Sequence, residues 1–269
     1  MSAKIYYTDC FTNKPFRGSP TVVYLDERLP DDNNMQLLAR EMNCPVMAFI
    51  CPLVNDQSTY SIRYFTPCTE IVACGHATLA AAFVAARHKG GDRIDILTVD
   101  GRTIETTVAK NRVEMIYPMY DMKTVLPETG LMKALGIDSH EETKICTELE
   151  TLFIEVRNEM ILRAVQPQFR ELIKTNMPIK EVVITSRSES VRFDFILRSF
   201  CPWIGIDEDP VTGSVHSALA PYWSRKLNKE KLKAFQASER GGEIEVEVQE
   251  NKVRLSGELV LLMTGELTS

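Results

Sequence analysis

The order of apolar and polar residues predicts an alternation of β-hairpins and short helices. Alternating patterns that predict strands and hairpins are STYSIRYF (58–65), ETTVAKNRVEMIYP (105–118), VRFDFILRSF (191–200) and EIEVEVQENKVRLSGE (243–258). The segment DDNNMQLLAREMN (31–43) has aspartate caps and helical apolar spacing, and so predicts an amphipathic helix. PQFRELIKTN (167–176) predicts a second helix of this kind.

Two parts of the chain repeat the same order of motifs. Arg63-Tyr64-Phe65-Thr66-Pro67 returns as Arg198-Ser199-Phe200-Cys201-Pro202, and in each copy proline ends a strand pattern. A short loop follows, and then a glycine, Gly75 or Gly213, which we expect to open a helix of small residues. Such a helix suits close packing inside a sheet.

The repeat predicts a duplicated α+β fold. We expect two pseudo-symmetric lobes, residues 1–118 and 119–269, each a mixed β-barrel-like sheet wrapped around a central helix. Whether the last strand pairs with the first lobe is left open.

The two helix starts are candidate anion sites. The first backbone N–H groups of a helix have no partner within the helix, so they attract anions. Two such starts facing one cleft between the lobes would hold a carboxylate. Proton-carrying side chains stand beside both: His76 and Thr78 in the first copy, and Glu208, Asp209, Thr212 and Ser214 in the second. The alternative is that both helix ends bind only water.

Composition and charge limit the kinds of molecule that we expect this protein to bind. A formal charge of -6 and a pI near 5.4 argue against nucleic-acid binding. No apolar run has the length of a signal peptide or of a membrane span, so we expect a cytoplasmic protein with no membrane partner. Seven cysteines without CxxC spacing indicate neither a disulfide framework nor a zinc site. We therefore expect no metal site; the expectation of no cofactor comes only from the family resemblance given below.

Other chemistries at ACGHAT (73–78) are less well supported by the residues. A thiol pair would need a cysteine at the repeat-mate of Cys74, which falls at or beside Pro210 and Val211. A metal site would need further ligands near His76, and we interpret His88 and His216 as packed or surface histidines. A hydrolase using Ser214 or Cys74 would lack a nucleophile elbow.

The strings DCFTNKPFRGSPTVVYLDE, RYFTPCTEIVACGHATLAAA and EDPVTGSVHSALAPYW closely resemble the phenazine biosynthesis PhzF-like family, whose fold is shared with diaminopimelate epimerase. The resemblance runs from about residue 5 to the last strand. It implies a homodimer and a cofactor-independent isomerase that moves a proton on a small carboxylated substrate held between the lobes. It also implies catalytic roles for Asp209 and His76, and substrate binding by Gly75, Ala77, Gly213 and Ser214.

Two departures from the family pattern bear on activity. The family's proton-carrying glutamate falls at Val46, and the family's glycine-asparagine-proline becomes Gly18-Ser19-Pro20, so that Ser19 replaces an amide that could bind substrate. Glu41 lies nearby, but we expect it to face solvent. Two hypotheses therefore remain: an isomerase with altered chemistry, or a carboxylate-binding protein of the same fold that has lost turnover.

Overall fold

Two groups of strands, each with one long buried helix, make up the fold. The computed structural model describes residues 3–54 and 56–268, so the outermost residues of both predicted lobes lie outside the described part. The chain divides into two units. The first contains the residues up to Tyr117, Val211–Ser214 and the residues from Arg254 onward, and the second contains Pro118–Pro210 and Val215–Val253.

The first unit is built from the N-terminal strands and the last strand of the chain. Its strands are β1 (Lys4–Cys10), β2 (Ser19–Leu25), β3 (Val46–Leu53), β4 (Asp56–Phe65), β5 (Glu70–Ile71), β6 (Arg93–Leu97), β7 (Thr103–Ala109), β8 (Arg112–Pro118) and, from Arg254 onward, β16 (Lys252–Glu266). The order β1-β2-β3-β4-β6-β7-β8-β16 returns to β1, because β16 also pairs antiparallel with β1. The described strands therefore close an eight-stranded barrel.

A helix of small residues fills this barrel. It is α2 (Gly75–Lys89), and every residue from Gly75 to Ala86 is buried. It packs against six barrel strands, β1, β2, β3, β4, β6 and β7. Alanine is suited to this position because it lets the strand backbones approach the helix from all sides. The other helix of the unit, α1 (Asp32–Met42), is capped by Asp31, which accepts a hydrogen bond from the Asn34 amide, and it leaves Glu41 exposed as expected.

The strands of the second unit pair in the order β15-β14-β13-β12-β11-β10-β9, and β15 pairs in turn with β16. These strands are β9 (Lys123–Thr124), β10 (Glu142–Cys146), β11 (Thr151–Glu155), β12 (Glu181–Arg187), β13 (Phe195–Phe200), β14 (Lys231–Gln236) and β15 (Gly242–Gln249). Its helices are α3 (Thr129–Leu135), α4 (Glu159–Ala164), α5 (Phe169–Leu172) and α6 (His216–Leu227). The first eight residues of α6 are buried, and α6 packs on β14 and β15.

Two sequence predictions about helices need correction. The second small-residue helix does not begin at Gly213: α6 starts at His216, and Gly213 and Ser214 lie in the preceding turn. A helix was also predicted across residues 167–176, but α5 has only four residues, from Phe169 to Leu172. The backbone leaves the helical pattern at both ends, where the Gln168 amide donates to the carbonyl oxygen of Ala134 and the Thr175 amide closes a turn on the carbonyl oxygen of Leu172.

The repeat is visible inside each unit. Arg63 on β4 forms a bidentate ion pair with Glu70 and lies over the Phe65 ring. Arg198 on β13 does the same with Glu208 and the Phe200 ring. The repeated R-x-F therefore marks a repeated local structure, which supports the α+β duplication.

None of the helices in the described part of the chain combines the length and apolar character required to cross a bilayer.

Candidate active site

Two glycine backbones touch at the start of α2. A methyl group on Gly75 would lie 2.7 Å from the Cα of Gly213 and 3.0 Å from the amide nitrogen of Ser214. A methyl group on Gly213 would lie 3.1 Å from the Cα of Gly75. Both residues belong to the first unit. We call this contact, with Gly75, Gly213 and Ser214, the glycine junction; its closeness leaves no room for a side chain at either glycine.

The junction carries backbone hydrogen-bond donors. Gly75, His76 and Ala77 are the first residues of α2, so their N–H groups have no acceptor within the helix. Cys74 precedes them in extended conformation and makes no side-chain cap. The amide of Ser214 lies beside these donors, as its distance from Gly75 shows. Backbone donors at a helix start are the groups that bind carboxylates in proteins.

A hydrogen bond from its imidazole ring holds His76 beside the glycine junction. The imidazole is almost completely buried, and Nδ1 lies 3.2 Å from the carbonyl oxygen of Val211. Because a carbonyl only accepts, Nδ1 is the protonated nitrogen in this contact. The other nitrogen, Nε2, lies 3.4 Å from the thiol of Cys74. Nε2 is therefore the ring atom that can take up a proton.

A buried hydroxyl network supports the start of α2. Thr78 donates from Oγ1 to the carbonyl oxygen of Cys74 at 2.8 Å. Its single proton is thereby used, so the hydroxyl of Tyr64 donates to Thr78 at 2.6 Å. Burial raises the pKa of Tyr64 well above its ordinary value, which keeps the phenol neutral and able to donate.

The segment Glu208-Asp209-Pro210, called the EDP segment from here on, is anchored in the second unit. Asp209 is 7% exposed, and its amide donates to the carbonyl oxygen of Ser199 at 3.0 Å. The carbonyl of Asp209 accepts from Gln236 Nε2 at 2.7 Å, and the carbonyl of Pro210 accepts from Ser238 Oγ at 2.6 Å. Asp209 stands two residues before Val211, so the Cα atoms of Asp209 and Val211 lie within about 7.6 Å of each other. Val211 is the residue whose carbonyl oxygen contacts the His76 ring.

The two positions that depart from the family pattern are both buried. Ser19 begins β2 opposite Cys10. Its hydroxyl is buried and has no hydrogen-bond partner among residues 3–54 and 56–268. Val46 begins β3 opposite Thr21 and is 1% exposed. The structure thus places an apolar side chain at Val46, where no proton can be exchanged.

Sequence reasoning missed two residues of interest. Phe11 has a positive φ of 62°, and its ring fits between Gly213 and Gly257, where a methyl group would lie 3.3 Å and 2.3 Å from ring atoms. Glu181 is half-buried, and its carboxyl lies close to the hydroxyls of Ser199 and Thr151. No local pattern marks either residue, since Glu181 begins an ordinary apolar strand.

Comparison with known proteins agrees with this architecture. Residues 8–265 match the family described as phenazine biosynthesis-like protein, PhzC-PhzF. An uncharacterised isomerase of Pseudomonas aeruginosa is 36% identical over 269 residues, covering 99% of each chain. The solved structure of a phenazine biosynthesis protein of the PhzF family from Enterococcus faecalis superposes with a TM-score of 0.90 at 32% identity and full coverage of both chains.

A more distant structure shares the fold. A hydroxyproline epimerase from Agrobacterium vitis, with bound trans-4-hydroxy-L-proline, covers 99% of this chain with a TM-score of 0.63 at 10% identity. The architecture is thus that of the epimerase and racemase folds. The chain belongs to the phenazine biosynthesis-like PhzC/PhzF family and is a PhzF-like isomerase.

Proposed function

We propose that this protein is a cofactor-independent isomerase or epimerase that moves a proton on a small carboxylated substrate. The observation that carries the proposal is the contact between Gly75 and Gly213 at the start of a buried helix, directly beside the ring of His76. Backbone donors at a helix start, next to a proton-carrying ring, suit a reaction on the carbon beside a carboxylate.

The carboxylate is assigned to the glycine junction. The amides of Gly75, Ala77, Gly213 and Ser214 supply donors, and the hydroxyl of Ser19 adds a buried one. A helix start stabilises an anion by about 0.3 to 1 kcal/mol when exposed and by up to about 2 kcal/mol when partly buried. Because α2 is buried along its first three turns, the upper part of this range applies.

Proton transfer is assigned to Asp209 and His76. One group removes a proton from a substrate carbon, and the protonated partner returns a proton to the same or to a conjugated carbon. The substrate gains and loses one proton and no electrons, so no redox cofactor is needed. Val46 contributes no proton, so the two remaining groups carry the transfer in this chain. A homodimer stays a prediction.

Deuterium exchange tests this proposal. The protein is incubated in heavy water with a panel of small unsaturated and α-amino carboxylic acids, and exchange at carbon is followed by NMR. We expect exchange with at least one acid, reduced by about 10² to 10⁴ in Asp209→Asn and in His76→Asn, as for loss of a general acid or base. Asp207→Asn and His140→Asn are matched controls, because both side chains are exposed.

A different result of the same experiment would contradict the proposed isomerase activity. Acids that bind without exchange, together with appearance of exchange in Val46→Glu, would show a binding protein that has lost turnover. That result would overturn the proposed activity and leave the carboxylate site standing. The buried valine at this position is the observation that favours this second function.

A further inference from the structure

Phe11 has a backbone conformation that costs free energy. The residue directly follows β1 and has a φ of 62°, in the left-handed region that residues with a Cβ rarely enter. Its side chain is completely buried. Such a conformation persists only where the surrounding structure holds it, and it occurs most often at functional sites. The strain at Phe11 therefore has to be offset by the contacts of this residue.

Pairing with β16 fixes the backbone on both sides of Phe11. Cys10 lies opposite Leu259 in the antiparallel β1–β16 pair. On the other side, the amide of Thr12 donates to the carbonyl oxygen of Glu258 at 3.0 Å. Phe11 thus stands between two residues that are tied to β16, which leaves its backbone little freedom to relax.

The strand β16 has a glycine where the Phe11 ring lies. Gly257 is in the interior of this 15-residue strand, and its φ is not positive, so the backbone conformation would accept other residues. A methyl group on Gly257 would lie 2.3 Å from Cδ1 and 2.8 Å from Cε1 of the ring. Glycine inside a strand often marks a place where another group comes close. Gly257 therefore makes room for the ring of Phe11.

The far end of the same ring reaches the glycine junction. A methyl group on Gly213 would lie 3.3 Å from Cζ of Phe11 and 3.1 Å from Cα of Gly75. The ring and the start of α2 therefore lie on the same face of Gly213, where a side chain would otherwise be. Phe11, both glycines of the junction and Gly257 all belong to the first unit. The ring fills the space beside the contact between the two glycine backbones.

We propose that Phe11 is a positioning residue of the carboxylate site, which acts through Gly213 and holds Gly213 and Ser214 against the start of α2. This inference rests on the proposed function, which assigns the substrate carboxylate to the glycine junction. Donors that are fixed before an anion arrives bind it more tightly than donors that must be ordered on binding. Loss of the ring opens a gap beside Gly213, so the Ser214 amide no longer converges with the amides of α2.

The effect is expected on binding rather than on proton transfer. His76 contacts the same short segment at the carbonyl oxygen of Val211, two residues before Gly213. That hydrogen bond does not involve Phe11, so we expect it to survive loss of the phenyl ring. A change at Phe11 should therefore weaken carboxylate binding while the proton-carrying imidazole keeps its place.

Acetate binding tests this role without requiring turnover. Sodium acetate is the probe, and ¹H–¹⁵N NMR shifts of the Gly75 and Ser214 amides give its dissociation constant. We expect Phe11→Leu to raise this constant by about tenfold, through misplacement of the donors. Phe49→Leu is the matched control, because Phe49 is equally buried in the first unit but packs against Phe65. An unchanged constant in Phe11→Leu would overturn the proposal.

A second variant keeps the ring and covers the case in which Phe11→Leu does not fold. Phe11→Tyr retains the packing on Gly257 and adds a hydroxyl on Cζ, the ring atom that lies next to Gly213. The added oxygen overpacks this contact and displaces Gly213, so the acetate dissociation constant is expected to rise by about fivefold or more. Binding as tight as in the wild-type protein would show that the ring does not position Gly213.

The kinetics of deuterium exchange distinguish positioning from a merely structural role. With an acid that exchanges, Phe11→Leu is expected to raise KM by about tenfold and to keep kcat within about twofold of the wild-type value, the pattern of lost binding. A merely structural role would reduce the folded fraction, which lowers kcat and leaves KM unchanged. That pattern would contradict the proposal.

Together, the two measurements separate this inference from the proposed function. Weaker acetate binding in Phe11→Leu, with no exchange of any acid by the wild-type protein, would refute the proposed activity and retain the role of Phe11. Exchange by the wild-type protein, with equal acetate binding in Phe11→Leu, would retain the activity and refute that role. Acetate that leaves the Gly75 and Ser214 amides of the wild-type protein unshifted would refute the carboxylate site and the role of Phe11 with it.

Discussion

At the scale of single residues, the candidate site depends on the absence of two side chains. Gly75 and Gly213 touch through their Cα atoms, so the donors at the start of α2 and the Ser214 amide converge only because neither residue has a Cβ. Neither residue has a positive φ, so the backbone conformation would accept other residues. Glycine is needed at both positions because the two backbones lie too close for a side chain. The buried ring of His76 and the Val211 carbonyl stand beside this contact.

Gly75→Ala is therefore expected to destabilise the protein. The new methyl group would lie 2.7 Å from Gly213 Cα, so the backbone must shift, at a cost of about 1 to 3 kcal/mol. Urea unfolding followed by circular dichroism measures the change. Gly91→Ala is the matched control, because a methyl group there meets no atom within 4 Å, and its effect is expected to stay within about 0.5 kcal/mol. Equal effects of the two substitutions would contradict the assigned contact.

At the scale of elements, each copy of the repeat ends a strand with the same ion pair. Arg198 binds Glu208 through two nitrogens and also donates to the carbonyl oxygen of Val165 at 2.7 Å. Glu208 directly precedes Asp209, so the ion pair ties the EDP segment to β13. Arg63 and Glu70 tie the chain after β4 in the same way.

Arg198→Gln should cost more than loss of an exposed pair. The Arg198 and Glu208 side chains are 13% and 23% exposed, whereas those of Arg192 and Glu243 are 68% and 55% exposed. We expect a loss of about 2 to 4 kcal/mol for Arg198→Gln and of less than about 1 kcal/mol for Arg192→Gln. Denaturant midpoints measure both. Similar midpoints for the two variants would show that the strand-end pair does not anchor the segment.

At the scale of the whole molecule, the chain passes more than once between its two units. Val211–Ser214 belongs to the first unit, although the residues on both sides belong to the second. The strand β16 closes the first barrel by pairing with β1, with Leu259 opposite Cys10 and Glu266 opposite Lys4. Folding of the first unit therefore requires contacts between the two ends of the chain, which are slow to form.

The stability of the whole chain should depend on pH through Glu181. Its pKa is raised from 4.5 to about 7 in the folded state, so between these values the folded protein keeps a proton that the unfolded chain loses. The free energy of unfolding from this residue therefore falls as pH rises from about 4.5 to about 7, by up to roughly 3 kcal/mol. Glu181→Gln removes this loss.

Unfolding in urea at pH 5 and at pH 8 measures the effect. Relative to the wild-type protein, Glu181→Gln is expected to be more stable at pH 8 than at pH 5, while the exposed control Glu141→Gln follows the wild-type protein. A stability difference that is the same at both pH values would show that Glu181 titrates alike in the folded and unfolded states.

The amino-acid sequence by itself determined the elements whose signals are local. The period of two in residues 105–118 predicted β7 and β8, and the aspartate before residues 32–42 predicted the capped helix α1. The repeated arginine motif predicted the duplication, because both copies carry the same strand-end chemistry. Local reasoning failed at Gly213, where a glycine followed by small residues resembled a helix start but lies in the turn before α6.

Only the tertiary structure decided which of these residues meet. Gly75 touches Gly213, His76 bonds to the Val211 carbonyl, and Glu181 shares Ser199 with Asp209, although each pair is far apart in sequence. Such contacts depend on strand register and on the path of the chain between its units, and neither leaves a periodic signal in the residues themselves. A glutamate at the head of an apolar strand therefore has no visible role until the opposite strands are in place.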